Sequence, residues 1–121
     1  MRSLVFSLIL GLSAAAGCGS SGSDLTPQTT CNEEITALCN WANRCGGQAA
    51  LSALGNYTSV SDCTSKMQAT ECAGTNAQCD SGKTFHADKA QACIDGTNSM
   101  ACPTSSSSSP PTPAACDQVC Q

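Results

Sequence analysis

Eleven cysteines in a chain of 121 residues constrain the fold more than any other feature. That density belongs to small scaffolds closed by covalent staples rather than by a large core. The apolar complement agrees, because aromatic residues make up only 3% of the chain. After Cys18 there are thirteen large apolar side chains, among them Ile35, Leu38, Trp41, Leu51, Met67 and Ile94. A core that thin removes little surface from water, so the domain needs disulfides or a metal to hold together.

The N-terminus reads as an export address. Met1-Arg2-Ser3 is a short cationic start, and Leu4 to Leu12 is an apolar run of nine. Nine residues cannot cross a bilayer, which takes about twenty. They match the central region of a secretory signal followed by small residues. Ala15-Ala16-Gly17-Cys18 then forms a lipobox-like tetrapeptide, with alanine at its first position. Cleavage before Cys18 would turn its thiol into a lipid-bearing thioether and leave ten cysteines, an even number. Ordinary cleavage after Ala16 would leave eleven and one unpaired thiol. The expectation is a signal peptide over 1–17, a lipidated Cys18 with a flexible tether over 18–29, and a domain over 30–121. Gly19, in place of an aspartate, follows Cys18, and by resemblance to lipoprotein sorting in other bacteria this implies the outer membrane. Without the lipid, the alternative is a secreted protein.

Helical spacing dominates the mature chain. Thr30-Cys31-Asn32-Glu33 fits a capping box at a helix start. From there Cys31, Ile35, Leu38, Cys39, Ala42 and Cys45 fall on one stripe about 120° wide at 100° per residue. Gly46-Gly47 supplies a stop. Gln48 to Leu54 predicts a short helical turn ended by Gly55-Asn56. Ser59 to Asp62 opens a second helix carrying Cys63, Met67 and Cys72. Residues 74–82, containing Cys79, read as a loop, and a third helix is expected over 85–95, carrying Cys93 and ended by Gly96. Thr104 to Pro113, with five consecutive serines and three prolines, reads as a flexible insert. Cys116 to Cys120 makes one last turn. No window alternates like a strand, so the fold class expected is all-α, small, disulfide-rich and loop-rich.

Spacing restricts the pairing. Cys31 and Cys39 lie about 12 Å apart along a helix, and Cys39 and Cys45 about 9 Å. Both distances exceed the reach of a disulfide, so the first helix must be bonded to at least two other segments. Cys63-x8-Cys72 and Cys93-x8-Cys102 share a spacing that puts each pair on opposite sides of a helix. The expectation is that each of these helices is bonded to two different neighbours. Beyond that the connectivity stays open among roughly 945 pairings.

These spacings carry a resemblance. The run Tyr57-Thr58-Ser59-Val60-Ser61-Asp62-Cys63, then Cys72-Ala73, Ala92-Cys93, Cys102 and Ala115-Cys116, resembles cysteine-rich lipoproteins of myxobacteria and related delta-proteobacteria. The Cys-x7-Cys-x5-Cys helix upstream is similar too. Cys79, Cys120 and the serine run depart from that pattern. The resemblance implies a helical disulfide architecture and an envelope location, and no activity.

The chemistry-bearing residues are sparse. There is no C-x2-C pair, so a tetrathiolate zinc site, c-type haem attachment and a thioredoxin-like motif are not expected, and no cofactor or metal is assigned. His86 is the only histidine. Ser81, Ser99 and Asp88 could complete a nucleophile–base arrangement only by chance in so serine-rich a chain. Trp41 flanks the apolar stripe as core filling. Asn56-Tyr57-Thr58 is a glycosylation sequon, accidental beside a bacterial lipobox; in a fungal secreted protein it would be real, and Ser105–Ser109 with its prolines would read as an O-glycosylated stalk. Once the signal is removed, four scattered cations face nine acids. Neither a nucleic-acid footprint nor a basic membrane patch is present. The expected function is a lipid-anchored, non-enzymatic envelope module for structure or partner binding, meeting the membrane through its anchor and another envelope or extracellular protein through its body. The alternative is a soluble secreted effector or inhibitor working through a loop such as Cys72–Cys93.

Overall fold

A computed structural model describes residues 24–104 and 111–121. Residues 1–23, which hold the signal sequence, Cys18 and the first part of the tether, and the serine run lie outside the described residues. The fold is all-α and held by disulfides. Helix α1 spans Pro27–Gly55, α2 Val60–Glu71 and α3 Ala87–Ser99. Two 3-10 turns, Gly74–Ala77 and Cys116–Gln118, complete it. The described residues contain no strand, only an isolated antiparallel bridge between Phe85 and Cys120.

Helix α1 begins earlier than the capping box at Thr30 suggested. The cap is Thr26, whose hydroxyl accepts from the Thr29 amide at 3.1 Å while the Thr29 hydroxyl accepts from the Thr26 amide at 2.8 Å. Pro27 follows at the first helical position, where its missing N–H costs nothing and its fixed φ suits the helix. Thr30 is already one turn inside, its amide bonded to the Thr26 carbonyl. The tether therefore ends at the cap, and Pro27 to Thr29 belong to the domain.

Gly47 breaks α1 without ending it. Its φ of 56° and ψ of −143° lie outside the helical region and in territory that glycine tolerates. The chain resumes helical geometry after this kink and drives Leu51 into the core, 1% exposed. Asn56, in the left-handed conformation, closes the second segment and donates to the Leu51 and Ser52 carbonyls. Ser59 then caps α2 as its sequence suggested, its hydroxyl accepting from the Asp62 amide at 3.0 Å.

The third helix runs past Gly96, which was expected to end it. Gly96 is kept small for a different reason: a Cβ there would lie 2.8 Å from Pro113 Cβ. Pro113 thus packs on α3, and the passive insert is shorter than 104–113.

All ten cysteines from Cys31 onward are paired. Cys31–Cys72 and Cys39–Cys63 join α1 to α2, Cys45–Cys102 ties α1 to the segment after α3, Cys93–Cys116 ties α3 to the last turn, and Cys79–Cys120 closes the C-terminus onto the loop before α3. No bond lies within α1, as helix geometry required. The expectation that the second helix reaches two neighbours is overturned, since both its cysteines meet α1. Cys72 sits at the C-cap with φ −103° and ψ 10°, where the 100° step no longer applies. Cys102 lies beyond the end of α3, so the two C-x8-C segments are not equivalent helical units.

The core forms where α1 meets α2. Ile35, Cys39, Trp41, Ala42, Leu51, Cys63 and Cys72 make one buried cluster. Met67 leans its thioether on the Cys39–Cys63 bond, 4.0 and 3.8 Å from the two sulfurs. Gln68 bridges the helices by donating to the Asn32 carbonyl at 2.9 Å.

Candidate functional site

Helix α1 carries a second stripe, buried at Thr30, Ala37 and Trp41, half-buried at Glu34 and exposed at Arg44. Thr30, Glu34, Ala37, Trp41 and Arg44 step by four and three residues. At 100° per residue they span about 80°, centred about 120° from the apolar stripe that faces α2. This face meets α3. The Thr97 hydroxyl donates to Glu34 Oε1 at 3.0 Å. The Trp41 indole donates to the Ala101 carbonyl at 3.4 Å, and the Arg44 guanidinium to the Asn98 and Met100 carbonyls, both at 2.9 Å. The hydrophobic pattern could not find this stripe, because two of its five members are charged and one is a threonine.

A hollow of about 310 Å³ opens at the N-terminal end of this face. Its walls come from Pro27, Thr30, Cys31, Glu34 and Ile35 of α1, the Asn76–Gln78 turn, Phe85, Cys93 and the C-terminal Cys116, Val119 and Cys120. The C-terminus is held in place by a short ribbon. Thr84 and Gln121 exchange backbone hydrogen bonds, and the His86 amide donates to the Val119 carbonyl. Without that ribbon and the Cys79–Cys120 bond, one wall of the hollow would be missing.

The polar groups of the hollow are few and badly satisfied. Thr30 is 6% exposed and its hydroxyl has no hydrogen-bond partner. Glu34 is half-buried, and burial pushes its carboxyl above the ordinary glutamate value, partly offset by the Thr97 hydrogen bond. Its Oε2 lies 2.6 Å from Cys93 Sγ, which has no proton to give while bonded to Cys116. No cation of the protein lies within 4.0 Å of this carboxylate among the described residues. Glu34, Cys93 and Cys116 together have the donor atoms of a small metal site, all within 4.8 Å of one another. Both sulfurs are tied up in the disulfide, so the set does not fit a metal in the oxidised protein.

The residues singled out from sequence fall elsewhere. Trp41 is a core residue, 6% exposed. His86 occupies the N-cap of α3 without a capping side-chain bond. Ser99 stands at the far end of the same helix, about 20 Å along the axis, and donates to the Asp95 carbonyl. Asp88 lies in the first turn of α3, 3.9 Å from Lys89. These groups form no nucleophile–base pair. Glu34, which no motif announced, is the side chain the fold brings to the hollow. Its only sequence signal is membership of the Thr30–Arg44 stripe.

Compared with family models, curated proteins and solved structures, the chain matches none. No helix among the described residues is long and apolar enough to cross a membrane. The five disulfides fit an oxidising extracellular or envelope location.

Proposed function

We propose that the chain is exported, cut before Cys18 and lipidated there, and serves as a non-enzymatic partner-binding module on the cell envelope, at the outer membrane. The observation that carries this reading is the cysteine balance. The fold pairs every cysteine from Cys31 to Cys120 and leaves Cys18 as the odd one, at the end of Ala15-Ala16-Gly17. A lipid thioether gives that residue a use that no disulfide does. The composition of Gly19 to Leu25, with its glycines and serines, suits a spacer between anchor and body. Two or more acyl chains on one cysteine make such attachment stable, where a single chain is marginal. The stapled body, with a concave face, suits recognition.

Intact-mass spectrometry of the mature protein tests the anchor. The expected N-terminal residue is a diacylglyceryl Cys18, with acylation lost in Cys18→Ala. A mature chain that begins at Gly17 and carries no lipid refutes the proposal.

A further inference from the structure

We propose that the Glu34 hollow is a binding site for a primary ammonium group on an apolar stem, supplied by a lysine side chain of a partner protein. The proposal rests on the partner-binding reading above and names the site through which it works.

Three observations converge on this chemistry. The first is an unpaired acid: Glu34 is half-buried on the wall of the hollow, with no cation of the protein within 4.0 Å among the described residues. A carboxylate taken partly out of water recovers what it lost when an opposite charge joins it. Arg44 is committed to the carbonyls at the end of α3, and Lys66 to Asp62 at 2.9 Å. The second is Thr30, 6% exposed on the same wall, whose hydroxyl oxygen has no partner and can accept a hydrogen bond. Buried polar groups are rarely left so unless a ligand or water completes them. The third is the lining, where Ile35, Phe85 and Val119 offer an apolar surface to a stem.

Geometry selects lysine over arginine. A guanidinium fork needs open approach to both oxygens of a carboxylate at once, but both oxygens of Glu34 are crowded: Oε1 by the Thr97 hydroxyl at 3.0 Å and Cys116 Sγ at 3.5 Å, Oε2 by Cys93 Sγ at 2.6 Å. A crowded carboxylate suits a compact ammonium, which directs its three protons independently. One goes to Glu34 Oε2, one stays with water, and the third meets the Thr30 hydroxyl only once that side chain turns, because its oxygen is closed to solvent in the free protein. The volume of about 310 Å³ lies at the small end of ligand pockets, enough for a lysine stem and not for a large cofactor.

Two-dimensional NMR of the intact oxidised chain, titrated with n-butylammonium, tests the site. The expected result is saturable shifts of the Thr30, Glu34 and Thr97 amides, weakened at least about tenfold in Glu34→Gln, about 1.4 kcal/mol. Thr30→Val should weaken them less. Glutamine keeps an acceptor for Thr97, and the dispersion of the remaining amides reports that each variant is folded. Three further probes separate the sources of binding. Equal shifts with n-butanol would reduce the hollow to an apolar dent, and equal shifts with n-pentanoate would make it an anion site. Equal or tighter binding of ethanolammonium would point to a lipid headgroup. Each of those results overturns the proposal, as does unchanged binding in Glu34→Gln. Lipidation is read at the N-terminus, so failure of the anchor and failure of this site are told apart.

Discussion

The two sides of α1 are both stapled to their neighbours, yet they are built on different principles. Toward α2, the disulfides are part of the core: Cys39 and Cys63 are fully buried and stand among Ile35, Ala42 and Leu51. Toward α3, the contacts are polar and specific, made by Thr97 on Glu34, Trp41 on Ala101 and Arg44 on the end of the helix. On that side Cys93 is as deeply buried as Cys39 and Cys63, near Ala90 and Ile94 of its own helix, while its fellow cysteines tie down loop and tail. Cys102 is exposed, and Cys45, Cys79, Cys116 and Cys120 are only half-buried. The α2 seam is closed by bulky side chains; the α3 seam, closed mainly by small ones such as Ala37 and Ala90, leaves room for a hollow at its end.

The largest break in the comparison comes from removing every bond at once. Each disulfide contributes roughly 2–4 kcal/mol, mainly by restricting the unfolded chain. A whole domain is stable by about 5–15 kcal/mol. Full reduction should therefore abolish the far-UV helical signal at room temperature. At limiting reductant, hydrogen exchange should show α3 losing protection before the α1–α2 pair, because the latter buries the bulkier cluster with Ile35, Trp41 and Leu51, whereas α3 buries mainly small side chains such as Ala90 and Thr97. A reduced protein that stays helical and melts cooperatively would mean that the core carries more than its size suggests.

Single bonds sharpen the contrast. Cys39–Cys63 closes a separation of 24 residues and Cys79–Cys120 one of 41. On loop entropy alone the longer one is worth more, by about 0.5 kcal/mol. Burial reverses the order. Replacing Cys39 and Cys63 together by alanine also leaves a cavity beneath Met67 and removes sulfur from a packed interior. The Cys39→Ala/Cys63→Ala protein should lose more stability in urea than Cys79→Ala/Cys120→Ala, by about 1–2 kcal/mol. The opposite ranking would mean that the tail ribbon, not the α1–α2 seam, holds the molecule together.

How much of this could be read from the sequence follows the same divide. The α2-facing stripe of α1 was legible because it is apolar and periodic, and the impossibility of bonds within the helix followed from its rise per residue. The α3-facing stripe was invisible, because Thr30, Glu34 and Arg44 read as solvated residues, and only the fold shows Thr30 buried, Glu34 half-buried and Arg44 bonded to the end of α3. The capping box at Thr30 was a plausible signal beaten by a better one, Thr26 with Pro27 and Thr29. Gly96 was misjudged for a related reason. Its small size answers to Pro113, seventeen residues away in sequence, and local rules see only the helix. The candidate site inherits all of these blind spots, since it is built where non-local contacts converge.

Arg44 offers a milder test of the polar seam. Its two bonds satisfy the carbonyls that α3 leaves orphaned at its C-terminal end, and its charge suits the negative end of the helix. Arg44→Ala should cost about 1–2 kcal/mol, since the carbonyls are exposed enough for water to replace part of the loss. Exchange should accelerate in the last turn of α3 while α2 is unaffected. Acceleration spread over both helices would show that the seams are not independent.

The smallest expected effect is also the one with a reversed sign. Burial raises the carboxyl of Glu34, so the folded protein holds its proton to higher pH than the unfolded chain does. As pH rises from the unfolded glutamate value of 4.5 through the raised folded one, the folded state binds the extra proton and stability falls. Above that window the cost is constant. Glutamine cannot ionise and still offers an oxygen to Thr97, so Glu34→Gln should match the parent near about pH 3 and be slightly more stable at about pH 7. Asp62, on the surface of α2, runs the other way. The Thr58 amide and Lys66 hold its carboxyl below the ordinary value, so its contribution is present above the unfolded value of 3.8 and is lost as pH falls through the lowered one. Asp62→Asn should then lose stability at neutral pH and nothing in strong acid. Urea unfolding of the two variants across this range should give difference curves of opposite sign. A Glu34→Gln protein less stable than the parent at neutral pH would show that the ionised carboxylate is already compensated by its surroundings. An acid so compensated would have no reason to wait for a lysine.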